Sequence, residues 1–177
     1  ATAATMTAAA AETAPPPDVP QRYQSWLEEV EVLMTPKERE VFLDLRKDYQ
    51  REAFIRRFWD VRDPFPKTAL NEYRERWEPR ARKARERFGD LKEDRARMML
   101  LNGEPAEVLK PSCDVLVPLE IWSYPGSDRV RGDFSLTFRG ASANGPFRLW
   151  SPAEGIERLL SLGMQSRAAD QAVAGDH

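Results

Sequence analysis

Two glutamates stand closest to possible chemistry in this chain: Glu104 in Gly103-Glu104-Pro105 and Glu120 in Leu119-Glu120-Ile121-Trp122. Placed at neighbouring strand ends and facing across a cleft, two carboxylates can serve as the acid and base of a hydrolytic or carbohydrate-processing site. No nucleophile motif, glycine-rich phosphate loop or cofactor fingerprint accompanies them. The favoured reading of Gly103-Glu104-Pro105 is therefore a tight turn, in which Gly103 supplies an unusual dihedral and Pro105 fixes the exit.

Arginine and carboxylate groups recur at the ends of elements. Asp60, Arg62 and Asp63 lie beside Trp59, and Asp94 precedes Arg95. Guanidinium–carboxylate pairing is planar and bidentate, which suits locking a helix end to the start of a strand. A denser set, Arg74, Arg76, Arg80, Arg82, Lys83, Arg85 and Arg87, is interleaved with Glu72, Glu75, Glu78 and Glu86. Mixed signs at helical spacing make a solvated face with i,i+4 pairs, and Arg80, Arg82 and Arg85 are the members best placed to meet a protein partner. A nucleic-acid grip would need a stripe that its glutamates do not neutralise.

Composition narrows the classes further. The chain has 177 residues, 41% of them hydrophobic, enough for one buried core and one domain. A formal net charge of -2 on 32% charged residues argues against a generic polyanion binder. A single cysteine, Cys113, leaves no internal disulfide, and the single histidine, His177, removes histidine-based metal sites and most histidine acid–base chemistry. No catalytic, cofactor-binding or metal-binding residue is assigned. No apolar run reaches the roughly 18 to 20 residues of a membrane span. The opening Ala1-Thr-Ala-Ala-Thr-Met6, followed by Pro15-Pro-Pro17, resembles the mature end of an exported protein, so a periplasmic or extracellular location is expected; a clipped terminus is the alternative.

Those residues must be positioned by the elements around them. Residues 1–20 read as a flexible Ala/Thr/Pro-rich arm. A first helix is expected over Gln21 to Met34, with Trp26, Val30 and Leu33 on one face. Thr35-Pro36-Lys37-Glu38 carries a capping-box start, and the polar run at Arg46 to Asp48 allows a bend before a segment that stops at Arg62-Asp63-Pro64. Thr68 is expected to cap the next helix, whose stripe runs Leu70, Tyr73, Trp77, Ala81, Ala84, Phe88 and ends at Gly89, with a bend near Pro79. Strands are expected at Arg97 to Asn102, Val115 to Tyr124, Asp133 to Arg139 and Phe147 to Trp150. Ser151-Pro152-Ala153-Glu154 opens a short closing helix, and residues 164–177 form a flexible tail. The fold class is α+β: an N-terminal layer of three or four helices on a small antiparallel sheet of about four strands, within residues 21–163. Of five tryptophans, Trp26, Trp59, Trp77 and Trp122 fall on apolar stripes, whereas Trp150, beside Pro152, is the best interface anchor.

A series of landmarks in order, Glu52-Ala-Phe-Ile-Arg-Arg-Phe-Trp-Asp-Val-Arg-Asp-Pro64, Asn71-Glu72-Tyr73-Arg74, Arg87-Phe88-Gly89, Asp94-Arg95, Gly103-Glu104-Pro105 and Glu120-Ile121-Trp122-Ser123-Tyr124, resembles the bacterial GWxTD domain. The landmarks span roughly Pro36 to Trp150. The name-giving Gly-Trp-x-Thr-Asp falls on Asp90-Leu91-Lys92-Glu93-Asp94, where only the final Asp is kept. The resemblance brings no established activity. It marks Trp59, Arg62, Asp63, Asp94, Arg95, Gly103 and Pro105 as motif residues. Together these readings predict a non-enzymatic interaction module, an accessory subunit of an extracytoplasmic bacterial complex with other protein subunits as partners and no nucleic acid. A hydrolase or carbohydrate-binding domain is the competing class.

Overall fold

Side-chain caps start two of the four α-helices among the described residues of the N-terminal half. The computed structural model describes residues 19–127 and 129–161. Helix α1 (Gln21–Val30) follows Pro20 and tightens into a 3-10 turn at Glu31–Leu33, so the regular helix is shorter than its apolar spacing predicts. Thr35 then caps α2 (Pro36–Asp44): its hydroxyl accepts from the Glu38 N–H at 3.2 Å, and Glu38 accepts from the Thr35 N–H at 2.8 Å. The chain bends at the polar run before α3 (Asp48–Asp60), where Gln50 accepts from the Lys47 N–H at 3.1 Å. Most of the expected N-terminal arm and all of the tail at 164–177 lie outside the described residues. The arm's last residues are ordered, with Val19 buried against the Tyr23 and Phe42 cluster and its carbonyl bonded by Gln24.

Helix α4 (Glu72–Phe88) is capped by Asn71, whose side chain accepts from the Arg74 N–H at 2.9 Å, and not by Thr68. The Thr68 hydroxyl is engaged within its own loop, and Leu70, expected on the buried stripe, is exposed. The helix continues through Pro79 and ends at Gly89, which takes the positive φ of 74° that a side chain would resist.

The largest difference from the expected layout is α5 (Asp94–Asn102), which replaces the strand expected at Arg97 to Asn102. Alanine, arginine, methionine and leucine in this run are helix formers, and it has no β-branched residue. Ala96, Met99 and Leu100 are buried at i, i+3, i+4, which is a helical face. Gly103 closes the helix at φ 84°.

The sheet comprises β1 (Glu107–Leu109), β2 (Leu119–Tyr124), β3 (Phe134–Gly140) and β4 (Phe147–Leu149), antiparallel throughout in the order β1-β2-β3-β4. Strand β1 had no counterpart among the expected strands. Residues Val115 to Pro118 do not extend β2: Pro118 lacks an N–H for a ladder, and the chain pairs instead through Leu116 with Leu160. The closing segment keeps its capping box at Ser151 but forms two 3-10 turns, Pro152–Glu154 and Ile156–Leu159, in place of a helix. The fold is α+β, with five α-helices and a four-stranded antiparallel sheet among the described residues.

Register places Glu120, Trp122 and Tyr124 of β2 on one face with Phe134, Leu136 and Phe138 of β3. That face meets Trp59, Trp77, Ala81, Ala84, Met99 and Leu100 in one core, where the Trp122 and Phe138 ring centroids lie 4.8 Å apart. Truncating a fully buried ring here removes apolar contact and leaves a cavity. Phe138→Ala is therefore expected to cost about 3–5 kcal/mol in urea denaturation, against about 0.5 kcal/mol or less for Tyr49→Ala at a 70% exposed position. Equal losses at the two positions would refute this placement of the core.

Candidate functional site

Glu93, Asp94 and Arg95 come together where α5 begins against the edge of the sheet. Strand β4 is an edge strand, so its outward N–H groups lack a strand partner. The Glu93 carboxylate accepts from the Phe147 N–H at 2.9 Å, and the Asp94 carboxylate accepts from the Leu149 N–H at 2.8 Å. Two acidic side chains at the start of a helix thus replace a missing strand, and their charge is also favourable at that helix end.

Arg95 ties this edge to the middle of the sheet. Its Nε donates to Glu93 at 2.6 Å, its Nη1 donates to Glu120 Oε1 at 3.1 Å, and its guanidinium lies 4.1 Å from the Phe147 ring centroid and 5.1 Å from that of Phe88. Glu120 is 5% exposed at its side chain. Its Oε2 accepts from the Trp122 indole at 2.9 Å, and Lys110 reaches Oε1 at 3.0 Å from the solvent side. Burial pushes the Glu120 carboxyl up. The Lys110 and Trp122 donors, with the charges of Arg95 and Lys110, outweigh that and hold it below the usual carboxylate range. Glu120 is consequently ionised at neutral pH and suited to anchoring cations, not to donating a proton.

Glu104 stands apart. It is exposed, follows a helix and not a strand, and pairs with Lys83 of α4, so the two glutamates take separate partners and do not form an acid–base couple. Gly103 provides the anticipated unusual dihedral, and its carbonyl accepts from the buried Tyr124 hydroxyl at 3.3 Å, while the half-buried Pro105 follows. Arg80 packs its guanidinium beside Gly103, 3.6 Å from where a Cβ would stand. Arg85 pairs with Glu28 at 3.2 Å and Glu29 at 3.6 Å, joining α4 to α1, and Arg82 is exposed. Trp150 is half-buried, with its indole donating to the Gly155 carbonyl at 3.0 Å.

A second arginine clamp orders the helical layer. Arg62 donates to Glu38 at 2.9 Å and to the carbonyls of Leu33 and Phe58 at 3.0 Å, with its guanidinium 3.7 Å from the Phe58 ring centroid. Trp59 beside it is buried, and its carbonyl accepts from Asn71 at 2.7 Å. Asp63 turns outward to cap the next loop, accepting from the Phe65 N–H at 2.9 Å. In that loop the Thr68 hydroxyl lies 2.9 Å from the carbonyl oxygens of Phe65 and Leu70 and 2.8 Å from Glu72, with one proton shared among them. The loop is thereby wired internally while presenting Val61, Phe65 and Leu70, each more than half exposed.

Sequence reasoning missed Glu93, Lys110 and the exposed apolar side chains of this loop, whose Phe65-Pro66-Lys67 reads as a short rigid connector. Glu93 directly precedes the Asp94-Arg95 pair and could have been taken with it. Lys110 sits alone before Pro111-Ser112 and carries no local signal. Beside Lys110 and Glu120 lies a cavity of about 300 Å³ that also touches Cys113, Leu116 and Phe147. Among the described residues, no three of His, Cys, Asp and Glu are grouped to hold a metal ion.

Removing the Asp94 carboxylate leaves the Leu149 N–H without its acceptor. Asp94→Ala is expected to cost about 1–3 kcal/mol in urea denaturation, and a loss under about 0.5 kcal/mol would count against the edge-capping role. Glu38 behaves like Glu120: burial raises its carboxyl, and bonds from Thr35 and Arg62 more than reverse that. Folded-state values below the ordinary ~4.3 mean that both groups stabilise fully above that value and lose the contribution as pH falls through the lowered ones. Glu29, raised chiefly by burial, works in the opposite sense. The urea midpoint should fall on acidification from about pH 5 to about pH 3, with a shallower slope in Glu120→Gln; an unchanged slope would contradict the assignment.

Compared with protein-family models, curated proteins and solved structures, the chain matches none.

Proposed function

We propose that this chain is a non-enzymatic interaction module, an accessory subunit of a larger extracytoplasmic bacterial complex. The observation that carries the proposal is the loop between α3 and α4, which holds Val61, Phe65 and Leu70 in water on a backbone fixed by Asp63 and Thr68. Large apolar side chains on a pre-ordered loop can be buried in a partner with little further loss of conformational freedom. The side chains with catalytic potential are meanwhile engaged in holding elements together, as Arg95, Glu120 and Glu104 illustrate. This supports the interaction reading over a hydrolase or carbohydrate-binding domain. The exposed Arg82 on α4 offers a second contact surface. The bacterial and extracytoplasmic parts of the proposal rest on the resemblance to the GWxTD domain.

Purification of the untagged chain from its native organism, followed by size exclusion and mass spectrometry, tests the reading. The wild-type chain should co-elute at high mass with defined exported proteins. The double substitution Phe65→Ser and Leu70→Ser should release it while leaving its unfolding free energy in urea within about 0.5 kcal/mol of wild type. Elution of the wild-type chain as a lone monomer would overturn the subunit proposal, and retention of the partners by the double variant would remove the loop as the contact.

A further inference from the structure

The cavity beside Glu120 has the make-up of a small-molecule site and stands independently of the partner surface. Its volume, about 300 Å³, lies at the lower end of the range of roughly 300–1,000 Å³ typical of such sites. Its walls are mostly apolar, with Leu116, Pro118, Leu119, Ala143 and Phe147 around the Glu120 and Lys110 pair. Polar groups that are few and fixed give such a cavity chemical selectivity.

The donors to Glu120 are unequal. Trp122 is fully buried and the Arg95 side chain is 15% exposed, so both are held by the core. The Lys110 side chain is 66% exposed, and its ammonium is the replaceable member of the set. Withdrawing an exposed ammonium costs little by itself, but a buried carboxylate that loses a donor needs another cation in its place. Charge favours the same sign of visitor. The cluster holds three carboxylates, Glu93, Asp94 and Glu120, against two cations, Arg95 and Lys110, and becomes more negative when Lys110 swings away. An anion drawn to Lys110 would instead lie against the Glu120 carboxylate. We propose that this cavity binds a small organic ammonium ion, whose –NH3+ group replaces Lys110 on Glu120 Oε1 while its apolar body rests against Leu116 and Phe147.

Benzylammonium is the test probe, with benzyl alcohol and benzoate as uncharged and anionic controls of similar shape. Binding is followed by amide chemical shifts and by protection of Cys113, the chain's only cysteine, which is exposed and borders the cavity. Benzylammonium should give saturable shifts around Glu120 and slow the alkylation of Cys113 by iodoacetamide, and the two controls should do neither. Lys110→Met, at an exposed position, removes the competing cation and should tighten benzylammonium at least about fivefold. Absence of saturable binding to the Lys110→Met variant, equal binding of benzyl alcohol, or an affinity unchanged by the substitution would each overturn the proposal.

Discussion

The contact on which the two layers depend is Arg95 between Glu93 and Glu120, flanked by the rings of Phe88 and Phe147. One guanidinium touches the start of α5, the end of α4, the centre of the sheet and its β4 edge. Dispersion and burial bring helices onto a sheet without fixing where they sit, because apolar contact is not directional. The planar fork of Arg95 supplies direction. With the acceptors of Glu93 and Asp94 on the β4 N–H groups, it allows α5 one position along the strand. The price is the burial of charge, and buried ion pairs often give little net stability against a well-packed apolar substitute. What this cluster provides, on that view, is a defined arrangement of layers.

The same device recurs on a smaller scale at Arg62, which binds Glu38 at the start of α2 and two carbonyls at the ends of neighbouring segments while lying on Phe58. Helix C-terminal carbonyls lack partners within the helix, and a guanidinium can satisfy several at once. Arg51 repeats the pattern, buried over Tyr23 with the Leu45 carbonyl as acceptor. Arg51, Arg62 and Arg95 therefore act as internal fastening.

Local chemistry was legible where it was decided by neighbours in sequence. The Thr35 and Ser151 capping boxes, the Gly89 stop and the inward face of β3 could all be read before the fold was known, whereas the polar run before Asp48 left one long helix or two open and the chain forms two. The errors arose where a distant partner decides. Met98 to Leu101 is short and apolar enough to suit a strand, and its helical state follows from Ala96, Met99 and Leu100 meeting the core together. Thr68 has the side chain of a cap, yet Asn71 takes the cap, its amide held by the Trp59 carbonyl of the preceding helix, and the Thr68 hydroxyl closes the loop instead. For the site, Asp94 and Arg95 were visible as a pair, but Lys110 was not, because its role depends on the pairing of β1 with β2, whose register, with Leu109 opposite Ile121, brings the next residue beside Glu120.

The two edges of the sheet are treated differently, and this bears on how the molecule meets others. Edge β4 is closed by carboxylates of its own chain, so added strands find its outward N–H groups occupied. Edge β1 has three residues and is followed at once by Lys110 and Pro111, a short and charged margin that discourages strand addition. The sheet thus presents a closed edge at β4 and a short, charged one at β1, and neither favours an added strand. In the reading of the chain as a GWxTD relative, Asp94 is the retained residue of the name-giving motif, and its work is to close an edge. Glu93, at the position of that motif's Thr, accepts from the Phe147 N–H beside it, so the edge is closed by two neighbouring carboxylates and Asp94 acts as a structural element.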